Sequence, residues 1–231
     1  EYEADMAAVR LMESSGQSSK GLLEVFQKIR ASSRVYGDEL NRLDLTHDLP
    51  EERINLLEIK ISEQKSFKKV DSQELIHKYN LVKAKLIGYL GLRDNYDVGS
   101  LYSKYINAIR YYQKGKLDLA ESAMTDIIEI EESPYFFEFL AQIYRDKFEF
   151  EKSLEYIEKS INSLSIRDPQ IEMLYADILI NIGDTKSILK GIDILESSSI
   201  NTIMRPKIHW QLSKAYYEID NISKADLHIA K

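Results

Sequence analysis

The sequence predicts an all-α protein in which a first helical segment is followed by a stack of helix hairpins. Three observations carry this. Alternating β-branched runs bounded by Asn-Gly or Asp-Gly are missing, and those are what mark strands and hairpins. The chain is rich in Leu, Ile, Glu, Lys and Ala and holds only 9 Gly and 4 Pro, a composition that favours helices. From about residue 100 onward, small residues and prolines recur at a period of 33 to 37 residues, which marks an internal repeat.

Taken in order, residues 3–14 read as a helix carrying Met6, Val9 and Arg10 on successive turns and closing at Gly16. Ser18 or Ser19 can cap a second helix over 20–34. The stretch from Tyr36 to Leu49 is polar and turn-like. Pro50 stands where a third helix begins, with Glu51 and Glu52 in its first turn, and this helix extends to about Ile61. SEQKSFKK at 62–69 is a charged connection, after which Asp71 or Ser72 caps a long helix that ends near Tyr89, with Gly88 and Gly91 as its stop signals.

Beyond residue 100, Pro134, Pro169 and Pro206 are spaced by 35 and 37 residues. Ala108, Ala141, Ala176 and Ser213 recur at 33, 35 and 37, each followed three residues later by Tyr111, Tyr144, Leu179 or Tyr216. Ala120, Ser153 and Ala225 follow twelve residues after their small partners, and Gly191 takes that place in the third unit, which is three residues longer. Gly115 and Gly183 fall in the expected turns. Small residues are needed where paired helices approach most closely, and large ones fill the adjacent groove. The pattern resembles the tetratricopeptide (TPR) repeat over 101–231, in about four units.

Composition bounds the function. With no cysteine, a disulfide framework, a Cys-ligated zinc and a thiol nucleophile are excluded. A net charge of −7 without a basic stripe argues against a dedicated nucleic-acid binder. No apolar run approaches the roughly 20 residues that cross a bilayer. The chain does not begin with Met, and its first residues, EYEADMAAVRLMESSG, have no basic n-region, so it reads as a fragment of a longer protein.

The chain lacks HExxH, GxSxG, P-loop and GxGxxG motifs, and its histidines (His47, His77, His209, His228) do not fall at i,i+3 or i,i+4. Glu1 and Asp5 are four apart, on one helix face. EYEAD at 1–5, THDLPEERI at 46–54 and NLVKAKLIGYLG at 80–91 resemble, in order, blocks of HtpX/BepA-type zinc metallopeptidases that carry a TPR tail. YINAIRYYQKGKLDLA at 105–120 and SPYFFEFLAQIYRD at 133–146 resemble blocks of that tail. Asp48 departs from the family's proline.

The resemblance implies a division into the end of a peptidase domain (1–62), a helical connector (63–100) and the repeats (101–231). It makes Glu1 the third protein ligand of a catalytic Zn²⁺, whose two histidine ligands and general base would belong to an HExxH helix upstream. Asp5 matches the carboxylate that orients a ligand histidine, His47 matches the histidine of the THP block, and Arg53 matches an arginine that anchors the loop by an ion pair. A loop histidine on the surface is an equal reading of His47.

In the repeat register, the first helices point Tyr102, Tyr105 and Tyr112, then Gln142 and Arg145, then Asp177 and Asn181, then Trp210, Lys214 and Tyr217 toward a shared concave face. Such a mixed polar and aromatic face suits a polypeptide, and equally the packing of the face against a catalytic domain. The expectation is therefore a zinc-dependent endopeptidase acting on proteins in periplasmic quality control, with the repeats recruiting polypeptide substrates or outer-membrane assembly proteins. A non-enzymatic TPR adaptor or co-chaperone is the alternative.

Overall fold

The computed structural model describes residues 2–36, 51–197 and 205–230. Among them are twelve α-helices and no strand. The chain divides into two compact units, Glu1–Tyr79 and Asn80–Lys231, and the division falls inside the segment expected as connector.

The first unit contains α1 (Tyr2–Ser14), α2 (Lys20–Tyr36) and α3 (Glu51–Ser62), with the start of α4 (Gln73–Leu90). Gly16 closes the α1 turn at φ +69°, a value that costs glycine nothing. Ile54, Leu57 and Ile61 lie on one stripe of α3 and are fully buried against Val9 of α1 and Leu23 of α2. The charged connection is tied down at two points: Gln64 donates its amide to the Val9 carbonyl (3.0 Å), and the Ser18 hydroxyl donates to the Phe67 carbonyl (3.0 Å).

In the second unit, α4 ends at Leu90 with Gly91 at φ +65°. Gly88 is not a stop signal, contrary to the sequence expectation. It is buried inside α4, where a Cβ would stand 2.9 Å from the Ile109 side chain, so its role is close helix packing. Four hairpins follow: α5 (Leu101–Gln113) with α6 (Leu117–Ile130), α7 (Pro134–Asp146) with α8 (Phe150–Asn162), α9 (Pro169–Ile182) with α10 (Thr185–Ser197), and α11 (Arg205–Glu218) with α12 (Ile222–Ile229). Pro134 and Pro169 open their helices, and Pro206 sits in the first turn of its own. There the missing N–H is no loss and the fixed φ suits a helix.

The small residues mark the crossings. Ala108, Ala141, Ala176 and Ser213 are buried, as are Ala120, Ser153, Gly191 and Ala225. Ser153 donates to the Ala141 carbonyl (2.7 Å), and a Cβ on Gly191 would come within 3.1 Å of the Ala176 carbonyl. The large residues next to them behave less uniformly. Tyr144 and Tyr216 are buried and donate to Glu121 and Glu196, carboxylates on the second helix of the preceding hairpin. Tyr111, in the first hairpin, has no preceding hairpin and is 36% exposed.

Each hairpin turns through one left-handed residue: Gly115, Phe148, Gly183 and Asp220, at φ between +57° and +87°. Two of these are not glycine. Phe148 holds φ +61° with its ring 79% exposed, so it bears backbone strain with little burial in return. Phe148→Gly should therefore raise stability by about 0.5–1 kcal/mol, the relief of strain exceeding the added freedom of the unfolded chain. Urea melts of the two proteins read this directly, and a destabilised variant would refute the strain argument.

Candidate functional site

Hairpin stacking brings the first helices together: α7 touches α9, and α9 touches α11. Their facing side chains form one hydrogen-bonded chain across all four repeats. Gln142 donates to the Tyr112 hydroxyl (2.7 Å), which donates to Asp146 (2.5 Å). Arg145 bridges Asp146 (2.7 Å) and Asp177 (3.3 Å). Asn181 donates to Asp177 (3.3 Å) and accepts from Lys214 (2.8 Å). Burial and the bond to Asp146 together push the Tyr112 hydroxyl pKa up. Each charge in the chain is thus held by a neighbour from the next repeat, which fixes the side chains before any ligand arrives.

Six of the ten residues expected on this face belong to that chain. Trp210 and Tyr217 stand open on α11, 62% and 64% exposed. Tyr102 is half-buried, its ring 4.9 Å from that of Tyr96. Tyr105 corrects the expectation. It is buried in the core with its ring edge-on to Phe136 (5.0 Å) and Phe139 (6.2 Å), because its position on α5 faces the aromatic start of α7 rather than the open side.

Beside the network is a cleft of about 200 Å³ lined by Glu138, Gln142 and Arg145 of α7, by Gln170, Met173, Leu174 and Asp177 of α9, and by Lys207 and Gln211 of α11. Sequence reasoning missed Glu138, Lys207 and Gln211. A signal for the first existed, since Glu138 is the single charge in PYFFEFLAQIY and lies four and seven residues before Gln142 and Arg145. Burial raises the Glu138 pKa, and Lys85, 3.5 Å away, offsets this only in part. The same carboxylate, after burial itself, helps push the Tyr89 hydroxyl up to about 12.

In the first unit, Glu1 and His47 lie outside the described residues. Asp5 is buried, and both its oxygens accept from Arg53, Oδ2 from Nε (2.5 Å) and Oδ1 from Nη2 (2.8 Å). The guanidinium also lies over the Phe26 ring (5.2 Å). The pair joins the EYEAD and THDLPEERI segments, 48 residues apart. Among the described residues no group of three or more His, Asp or Glu side chains is placed to hold a metal ion. Those residues do not by themselves fit a catalytic zinc. A second cleft, about 660 Å³, lies along α1 and the end of α3 and is lined by Tyr2, Glu3, Met6 and Gln64 among others, but not by Asp5.

His209 and His228, nineteen residues apart, meet across α11 and α12 with 2.9 Å between their Nδ1 atoms. Ring centres only 5.2 Å apart put both nitrogens close to the line joining the rings. That is the geometry of an N–H···N bond and not of two lone pairs converging on an ion. No described helix is long and apolar enough to cross a membrane.

A scan of protein-family models gave no match to the chain. A search of curated protein sequences likewise found none.

Two outcomes follow from these geometries. Arg53→Met strands a buried carboxylate and should cost about 3–5 kcal/mol. Asp5→Asn leaves a guanidinium that can reach water and should cost less, about 1–2 kcal/mol. Chemical denaturation of both variants gives the order, and equal losses would show that the pair is not a buried charge pair. For Glu138, the folded state holds its proton at higher pH than the unfolded chain. Stability is therefore full below the ordinary carboxylate range and falls as pH rises through the raised value. Glu138→Gln should remove this slope and be the more stable protein at pH 7. Urea melts from pH 4 to 7 measure it, and a gap between the proteins that does not widen with pH would contradict the assignment.

Proposed function

We propose that the repeats are a polypeptide-docking surface of the TPR type, with the inner row from Tyr112 to Lys214 as its floor. The observation that carries this reading is the hydrogen-bonded chain itself. It holds polar groups of four successive repeats in one line, beside a cleft and two open aromatic rings on α11. Rigid aromatics next to pre-paired polar groups supply contact area at low entropic cost.

The wider proposal is that this surface recruits polypeptide substrates, or proteins of outer-membrane assembly, to a zinc-dependent endopeptidase in the periplasm. It rests on the ordered resemblance of the sequence blocks and on the Asp5–Arg53 pair, which links the two segments that carry the peptidase resemblance. This reading requires an HExxH helix N-terminal to Glu1. The adaptor or co-chaperone reading draws support from the same pair, because both Asp5 oxygens are committed to Arg53, a structural use of the carboxylate.

Trp210 is the single tryptophan of the chain and stands on the docking face, so it reports directly. Titration with a tryptophan-free unfolded polypeptide, reduced and carboxymethylated ribonuclease A, should shift its emission to the blue and saturate. Trp210→Phe with Tyr217→Ala should weaken binding roughly tenfold or more, read by anisotropy of the labelled polypeptide. An unchanged emission together with no anisotropy change would remove the docking reading. Zinc-dependent cleavage of casein by a longer chain that includes the residues before Glu1, abolished in Glu1→Gln, separates peptidase from adaptor.

A further inference from the structure

Repeat position decides what covers each inner residue of the stack. Three residues before the small residues Ala108, Ala141 and Ala176 stand Tyr105, Glu138 and Met173, and four after them stand Tyr112, Arg145 and Ile180. Each meets the hairpin that follows its own. Tyr105 lies edge-on to Phe136 and Phe139 of α7, and Tyr112 edge-on to Phe139 (5.3 Å). Glu138 lines the cleft with Leu174 of α9, and Arg145 reaches Asp177 of the same helix. Met173 and Ile180 are buried in one cluster with Ile208 and Leu212 of α11.

The second helices repeat the pattern. Four residues after Ala120, Ser153 and Gly191 come Met124, Ile157 and Leu195, all buried, each in a cluster that includes the first helix of the next hairpin. In the fourth hairpin the corresponding residues are Trp210, Tyr217 and Ile229. They are 62%, 64% and 72% exposed, and no hairpin follows α12 among the described residues. Three large apolar side chains thus face water at positions that the next hairpin covers in each preceding repeat.

The covering helix is as regular as what it covers. α7 brings Phe136, Phe139 and Ile143, and α9 brings Ile171, Leu174 and Ile178, buried residues at i, i+3 and i+7. That spacing lays one apolar stripe along a helix, whereas an extended segment alternates its side chains between two faces. The repeats of a second copy offer no such stripe. On α11 the same positions, Ile208, Gln211 and Ala215, are buried inside the stack, and at the start of the repeats Ser103 and Ile106 of α5 are buried as well.

We infer that the open face of α11 and α12 docks an amphipathic helix of a partner polypeptide, seated as the first helix of a next repeat would be, with its apolar stripe over Trp210, Tyr217 and Ile229. The site continues the interface that joins α8 to α9 and α10 to α11. Recognition of a helix through anchors at i, i+3 and i+7 is a recurrent mode of peptide binding. This deepens the docking reading and rests on it, since Trp210 and Tyr217 serve in both. It adds Ile229 and the helical form of the occupant.

The test uses the 231-residue chain and a peptide with the sequence of residues 133–146, hydrocarbon-stapled between the positions of Glu138 and Gln142. The staple is needed because a free helix of this length is marginal in water. The peptide has no tryptophan, so Trp210 emission reports its arrival, and anisotropy of a fluorescein label gives its affinity. It should shift the emission to the blue and bind about tenfold more tightly than an unstapled Leu140→Pro form, which cannot be helical there. In the protein, Ile229→Ser and Tyr217→Ala should each weaken the stapled peptide about fivefold. Both side chains are exposed, so the core stays intact in both variants. Equal binding of the stapled and proline peptides, or an unchanged affinity in Ile229→Ser, overturns the helix site, and binding of unfolded ribonuclease A then leaves the docking surface standing. A dimer of the chain alone in sedimentation, dissociated by Trp210→Ala, assigns the face to a second copy and overturns the partner helix. Failure of the peptides and of unfolded ribonuclease A alike removes both readings.

Discussion

The close approach of paired helices at small residues is the constraint on which the second unit depends. Where Ser153 bonds the Ala141 carbonyl, and where Gly191 lies against the Ala176 carbonyl, no larger side chain fits without moving a helix. That contact sets the rotation of each helix about its own axis. Rotation in turn decides which residues of α7, α9 and α11 enter the core and which face the inner side. The hydrogen-bonded chain and the cleft follow from this one steric condition, repeated at spacings of 33, 35 and 37 residues.

The core is correspondingly modular. Separate clusters follow one another along the stack: one from α4 to α8 around Ile106, Phe139 and Leu140, one around Ile157 and Ile178, and one around Ile192 and Leu212. Each hairpin buries its apolar stripe against its neighbours, as expected of repeats that cannot bury it alone. Polar residues between repeats are satisfied in the same pairwise way, Tyr144 on Glu121 and Tyr216 on Glu196. The Tyr105 hydroxyl and the Gln211 Oε1 stand outside this pattern, buried without a hydrogen-bond partner among the described residues.

The first unit is organised by a different contact. α3 buries Ile54, Leu57 and Ile61 between α1 and α2, and from the same helix Arg53 reaches the Asp5 carboxylate. A charge pair of such low exposure adds little net stability, since desolvation offsets most of the attraction, but it selects one arrangement of the two segments. The start of the chain is thus held by a segment that follows it by 48 residues.

The helices were legible because their signals are local: prolines at first turns, a cap such as Ser72, and apolar residues at helical spacing. The repeat was legible because a steric demand recurs at a fixed period. Six members of the inner row could be named in advance, since register alone puts them on one face. What register cannot say is how far the neighbouring helix stands from that face. Tyr105 shares the row in projection, yet it is buried because Phe136 and Phe139 of the next hairpin close over it. Gly88 reads as a stop signal along the chain and serves as a packing site against Ile109. His209 and His228 have no relation at nineteen residues, and the α11–α12 turn alone brings their rings together. Sequence by itself determined the helices, their period and the outward face, all of which depend on neighbours within a few turns. The tertiary structure decided which polar groups find partners, because pairing depends on distances between hairpins that no local spacing encodes.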